Sequence, residues 1–211
     1  MADLTLYGDA DWESPWCFHV MVSLYELGLK YKLEPLKFPI ADEIKAQLRA
    51  NAKLPLTPCL VNGDFWLTES SAISDYLAET FAPPAHPRIM PASIEERARA
   101  RQVMSALRTS YKDLRGDRST ASVFMRPVTH PLSEKGKKDA DELIKFALAM
   151  IPEGQNTMFS EWSAADTDMA LMLMRLVANN DQVPQRLVDY CMAQWGRQSV
   201  RKYLAHIPTS H

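Results

Sequence analysis

The chain has 211 residues, and its 24 Lys and Arg against 26 Asp and Glu leave a formal net charge of −2, which gives no electrostatic footprint for nucleic acid or an anionic membrane. With 46% hydrophobic residues it can bury a core as one large domain or two small ones, and no apolar run approaches the ~20 residues of a membrane-spanning helix. Three cysteines far apart (Cys17, Cys59, Cys191) and an opening MADLTLYGDADWE without a basic or a long apolar stretch point to a reducing, cytoplasmic setting and a small-molecule partner.

Residues 4–7 alternate as a short strand, and the polar loop 8–13 runs into Ser14-Pro15, a helix start in which serine caps free amides and proline needs none. Val20, Leu24 and Leu27 follow at helical spacing, and Gly28 is placed to end the helix in the left-handed conformation. Residues 31–34 read as a second strand, which makes a βαβ unit with parallel strands. A short helix is expected over 41–49, two antiparallel strands around Asn62-Gly63, and a helix from 72 to about 81 opened by Thr68-Glu69-Ser70-Ser71. This order is that of a thioredoxin-like domain over residues 1–81.

Four prolines within 81–91 forbid continuous helix, so residues 82–93 read as a linker. Beyond it the pattern is helical only, with helices over 94 to about 115, 132–150, 164–177, 184–193 and 199–207. Residues 94–211 are therefore read as an all-helical bundle, giving α/β plus all-α overall. The stretch 116–131, with two prolines and no period, reads as a long connection of the kind that is often functional or mobile.

Three segments of the first domain suit a thiol tripeptide. Ser14 at a helix start either caps the helix or donates its hydroxyl to a thiolate held where the helix dipole favours negative charge. Thr57-Pro58, ahead of the third strand, is either a trans start or a cis turn whose Thr57 backbone faces outward to pair with an extended peptide. Glu69-Ser70 either complements a helix dipole or holds a free amino-acid end, the glutamate taking the ammonium while the hydroxyl and helix amides take the carboxylate.

Together Ser14-Pro-Trp16, the proline before Cys59-Leu-Val61, Glu69-Ser-Ser-Ala-Ile73 continuing through Tyr76-Leu77, and Ser163-Ala-Ala-Asp166 resemble the glutathione S-transferase family, over nearly the whole chain. The resemblance is to serine-type classes and, among bacterial members, to the YfcF-like group, carried by residues 69–77, Phe81-Ala-Pro-Pro84, Arg97 to Gln102 and Val183 to Tyr190. It implies that Ser14 hydrogen-bonds the glutathione sulfur, that Thr57 before a cis Pro58 pairs with the cysteinyl part, and that Glu69 and Ser70 hold the γ-glutamyl end. It also implies a homodimer without a metal, turning glutathione on a hydrophobic electrophile or an organic peroxide. Many serine-type relatives carry a basic residue where this chain has Leu56, so the glycyl carboxylate needs another cation: Lys53 first, then Lys45 or Arg49. Ser163 and Asp166 match a capping box whose role is folding.

A free thiol of pKa ~8.5 is about 3% ionised at pH 7, and moving it near 6.5 requires ~2.7 kcal/mol. A hydrogen bond to a charged group, ~1.5–3 kcal/mol, and a helix N-terminus, up to ~2, suffice together.

The rivals are a thioltransferase using Cys17 and a non-catalytic glutathione-binding protein. Cys17 lies one turn into the helix, where side chains are usually packed, and Cys59 and Cys191 fall in core contexts. Five scattered histidines give no metal pattern, Arg97, Arg99 and Arg101 read as a solvated face or subunit contact, and Trp12 and Tyr111 read as packing residues or as walls of an electrophile pocket.

Overall fold

The computed structural model describes residues 3–207 and divides the chain into two compact units, one ending at Ile89 and the other starting at Met90. The first unit runs β1 (Leu4–Asp9), α1 (Pro15–Glu26), β2 (Lys32–Leu36), α2 (Asp42–Ala52), β3 (Cys59–Asn62), β4 (Phe65–Thr68) and α3 (Ser70–Thr80). Its sheet has the order β2-β1-β3-β4, with β1 parallel to β2 and antiparallel to β3, and β3 antiparallel to β4. This is the thioredoxin-like arrangement that the element order predicts.

Local chemistry accounts for several of the joints. Ser14 is the N-cap of α1, extended at φ −70° and ψ 120°, and Pro15 takes the first helical position. At the far end Gly28, at φ 67°, lets its amide reach the Tyr25 carbonyl and the Leu29 amide the Leu24 carbonyl, which is the paired Schellman closure. Pro35 is tolerated in β2 because that strand is an edge. Asn62 lies opposite Phe65 across a two-residue turn that uses the positive φ of Gly63. Residues 17–24 of α1 are all buried, and its apolar side chains share the core with Leu4, Leu6, Leu48, Leu60, Ile73 and Leu77; α1 packs on α3, and α2 on β4.

The second unit is helical: α4 (Ile94–Thr109), α5 (Lys112–Asp117), α6 (Ala121–Phe124), α7 (Glu134–Met150), α8 (Ala164–Val177), α9 (Gln185–Trp195) and α10 (Gln198–Leu204). Helix α8 is buried from Ala164 through Leu176 and packs against α4, α6, α7 and α9. Ser163 and Asp166 form the reciprocal capping box expected of them, and Asp166 also accepts from the Met158 amide and the Tyr190 hydroxyl, each at 2.9 Å.

Two expectations change here. The helix read over 94–115 breaks at Ser110, because Tyr111 turns left-handed at φ 57° and the Asp139 carboxylate of α7 accepts the Asp113 and Leu114 amides, starting α5 afresh. Asp117 of α5 returns the arrangement, accepting from the Ser133 amide and hydroxyl at 2.8 and 2.7 Å where α7 begins. The connection 116–131, read as irregular, contains the end of α5 and all of α6. It is tied to the α8 end by a two-pronged Arg118–Asp181 ion pair at 2.7 and 2.9 Å, by Arg175 donating to the Arg118 carbonyl, and by Asn179 accepting from the Val128 amide.

Candidate functional site

Tyr7 of β1, Cys59 of β3 and Thr68 of β4 lie in one row across the sheet. The chain continues from Tyr7 through Asp9 into the loop ending at Ser14, enters β3 through Thr57-Pro58, and leaves β4 into Glu69-Ser70. The register therefore delivers all three sequence-predicted segments to the same end of the sheet, although 42 residues separate Ser14 from Thr57.

Ser14 is half-buried, and its hydroxyl oxygen accepts the Cys17 amide at 3.3 Å. That bond occupies a lone pair; the O–H proton lies within reach of Cys17 Sγ, and an acceptor outside the helix would compete with that sulfur for it. The Ser14 amide does not point outward: it donates to Asp9 Oδ2 at 2.8 Å, beside the Glu13 amide at 2.9 Å. Asp9, only 4% exposed, thus organises this corner, a role its place in a short polar loop only hinted at through the affinity of Asp for amides a few residues on.

The Thr57–Pro58 bond is cis, and the ladder of β3 begins beyond it at Cys59. Thr57 is half-buried and Pro58 buried, and among the described residues the Thr57 backbone pairs with no strand. Glu69 is exposed, has φ 69°, and precedes α3 without a side-chain cap bond. Ser70 is buried at 5% exposure in the first position of α3, where amides lack partners within the helix.

The candidate cations are differently engaged. Lys53 ends α2 in the left-handed conformation at φ 69°, and its ammonium donates to the Ala50 carbonyl at 2.9 Å. Lys45 pairs with Asp42 at 3.0 Å, and Arg49 is exposed in the last turn of α2. Leu56, where a basic residue is missing, is 45% exposed.

The buried sulfur and imidazole near Ser14 serve the scaffold. Cys17 is 1% exposed, accepts the Asp9 amide at 3.3 Å, and has its thiol pushed up to about 11 by burial, against which the Ser14 hydroxyl is the lesser influence. His19, fully buried, meets the Ser74 hydroxyl at 2.5 Å while Ser74 donates to the Ser70 carbonyl, so His19 Nε2 carries the proton and joins α1 to the first turn of α3. Sequence reading passed over His19 because its partner lies 55 positions away.

With a thioredoxin-like sheet presenting a hydroxyl, a cis-proline turn and a helix start at one end, comparison with known proteins becomes specific. The family model described as the glutathione S-transferase N-terminal domain matches residues 7–85, and that of the C-terminal domain matches 93–208. The chain belongs to the glutathione S-transferase family. A glutathione transferase homolog from Burkholderia, solved with bound glutathione, is 30% identical at a TM-score of 0.77, covering 97% of each chain. Rice GST1 in complex with glutathione shares the fold at a TM-score of 0.74 and 19% identity, over 99% of this chain and 92% of its own. Glutathione S-transferase F10 of Arabidopsis thaliana is 27% identical over 122 residues, 58% of this chain, and the match spans 56% of the plant protein.

Proposed function

We propose that this protein is a serine-type glutathione transferase that stabilises the glutathione thiolate for attack on a hydrophobic electrophile or an organic peroxide. The observation that carries the reading is the Ser14 hydroxyl at the start of α1, at the same sheet end as Thr57-Pro58 and Glu69-Ser70, in a chain of this family. The glutathione bound by the Burkholderia homolog supports the same ligand here.

In the proposed complex the cysteinyl part of glutathione pairs with the Thr57 backbone as a short antiparallel ladder. Glu69 takes the γ-glutamyl ammonium, and the Ser70 hydroxyl with the first amides of α3 takes its carboxylate. Lys53 is the proposed partner of the glycyl carboxylate; its exposed ammonium has one carbonyl to give up in exchange. The sulfur then meets the Ser14 O–H and the positive end of α1, which together supply the ~2.7 kcal/mol that two units of thiol acidification require. The YfcF-like assignment and a homodimeric state belong to the same proposal and rest on the resemblance, and a cytoplasmic location rests on the cysteine usage. Thioltransfer through Cys17 fits its surroundings poorly, since a thiol 1% exposed and raised to about 11 is neither reachable nor ionised near neutrality.

The test is ultraviolet thiolate absorbance of glutathione bound to the full chain near neutral pH, followed by turnover with activated aryl halides and organic hydroperoxides. Thiolate at saturating glutathione with turnover of either class supports the enzyme. Tight binding without thiolate would replace it by a glutathione-binding scaffold.

A further inference from the structure

We infer that Asp9 is a positioning residue for the Ser14 hydroxyl, acting through the backbone of residues 11–14 and resting on the role proposed for Ser14. Its carboxylate spans the whole loop. Oδ1 accepts the Asp11 amide at 3.0 Å, and Oδ2 accepts the Glu13 and Ser14 amides at 2.9 and 2.8 Å. Three donors on one buried carboxylate are far more than a surface aspartate needs, and they bracket Trp12, whose φ of 60° is the left-handed turn that reverses the loop toward α1.

Asp9 is itself held on rigid structure. As the last residue of β1 it lies opposite Leu36 in the parallel ladder, and the Ala10 amide donates to the Leu36 carbonyl at 3.0 Å. Its own amide donates to Cys17 Sγ at 3.3 Å, one turn inside α1. Gly8, just before Asp9, is closely surrounded: a Cβ there would stand 3.2 Å from Met21 Cε, 3.3 Å from Leu33 Cδ1 and 3.7 Å from Cys17 Sγ. Strand end, helix start and loop thus meet at one carboxylate, and the last amide it holds is that of Ser14. The bond from the Cys17 amide ties Ser14 on its helix side, and Asp9 holds the Ser14 amide on the other side of its Cα. Loss of Asp9 frees Ser14 to drift while α1 stays in place, and a displacement of about 1 Å at a reacting group can cost about a hundredfold in rate.

The experiment compares Asp9→Ala, Asp9→Asn, Ser14→Ala and the Asp9→Ala/Ser14→Ala double variant in the full chain. It reads thiolate absorbance at saturating glutathione, the glutathione dissociation constant, and kcat/KM with an activated aryl halide. Asp9→Ala is expected to lower the thiolate fraction about three- to twentyfold and kcat/KM about ten- to a hundredfold while the dissociation constant stays within about threefold. In the Ser14→Ala background the same change is expected to cost nothing further, as residues acting through one another are non-additive. Asp9→Asn, whose amide oxygen can still serve the Glu13 and Ser14 amides, is expected to restore wild-type thiolate to within about threefold. Should Asp9→Ala fail to fold, Asp9→Ser, with an oxygen too short for the full set of amides, carries the same comparison. Equal losses in both backgrounds, or normal thiolate in Asp9→Ala beside a defective Ser14→Ala, overturn this inference alone. Normal thiolate in Ser14→Ala overturns the Ser14 reading and this inference with it.

Discussion

Replacing Ser14 by alanine removes a helix cap and the hydroxyl proposed to face the glutathione thiol at once, and the two losses differ enough in size and in kind to be separated. The cap bond from the Cys17 amide is long at 3.3 Å, so its loss is expected near the low end of capping effects, about 0.5–1 kcal/mol of stability. The hydroxyl donor to a charged sulfur is worth ~1.5–3 kcal/mol, or roughly 10–150-fold in thiolate formation and kcat/KM. Urea denaturation reads the first, and thiolate titration with steady-state kinetics reads the second. Glycine separates them further: as an N-cap it costs only about a few tenths of a kcal/mol, yet it has no hydroxyl. Ser14→Gly is therefore expected to be as inactive as Ser14→Ala while nearly as stable as the parent, and Ser14→Thr to keep both properties. If Ser14→Gly retains activity within about threefold of the parent, or if activity losses simply track stability, Ser14 is a cap and the thiol is activated elsewhere.

Other parts of the structure make independent predictions. Glu69→Ala is expected to raise KM for glutathione about ten- to a hundredfold with a smaller effect on kcat, since the exposed carboxylate caps nothing in the free protein; unchanged KM removes Glu69 from the γ-glutamyl site. Cys17, raised to about 11 chiefly by burial, is expected to resist alkylation in the native protein at mildly alkaline pH and to react only on unfolding or as pH nears that value, followed by mass spectrometry of timed iodoacetamide reactions. Gly136→Ala would on helix propensity alone stabilise by about 1 kcal/mol. Because a Cβ there collides with Asp117 Oδ2 and breaks its bonds to Ser133, the expected result is instead a loss of about 1 kcal/mol in urea denaturation, and a gain refutes the packing argument. Asp117 has its carboxyl held below the usual range mainly by the Ser133 hydroxyl. A lowered acid stabilises the fold above its unfolded pKa of ~3.9 and loses that contribution as pH falls through the folded value, so Asp117→Asn and parent should differ at neutrality and converge in acid.

How much of this was legible in the sequence depends on the range over which each feature is determined. Ser14-Pro15, Gly28, Asn62-Gly63 and the Ser163–Asp166 box are settled within a few residues by capping and turn chemistry, and they stand where sequence reasoning put them. The break between α4 and α5 carries no proline or glycine signal, because it is imposed by the Asp139 carboxylate of another helix. His19 looked incidental because only the folded α1–α3 packing brings Ser74 to it. Asp9 was within reach: an aspartate followed by amides two, four and five residues on is a local pattern, obscured by the attention that the following Ser-Pro draws. The glycyl-carboxylate partner stayed open since Lys53, Lys45 and Arg49 are long side chains on or just after one helix, whose direction sequence spacing does not set.

The burial of every sulfhydryl in the chain has a practical meaning. Cys17, Cys59 and Cys191 are all essentially inaccessible, with thiols pushed up to about 11, 12 and 12, mainly by burial. A catalyst that ripens a foreign thiol beside an electrophile runs a standing risk of self-alkylation and of mixed-disulfide scars on its own surface. Here the chain itself offers no accessible thiol, while Met192 exposes a thioether, so under the proposed function inactivation by oxidant or electrophile should begin with Met oxidation or unfolding, and thiol-blocking reagents should leave the folded protein intact.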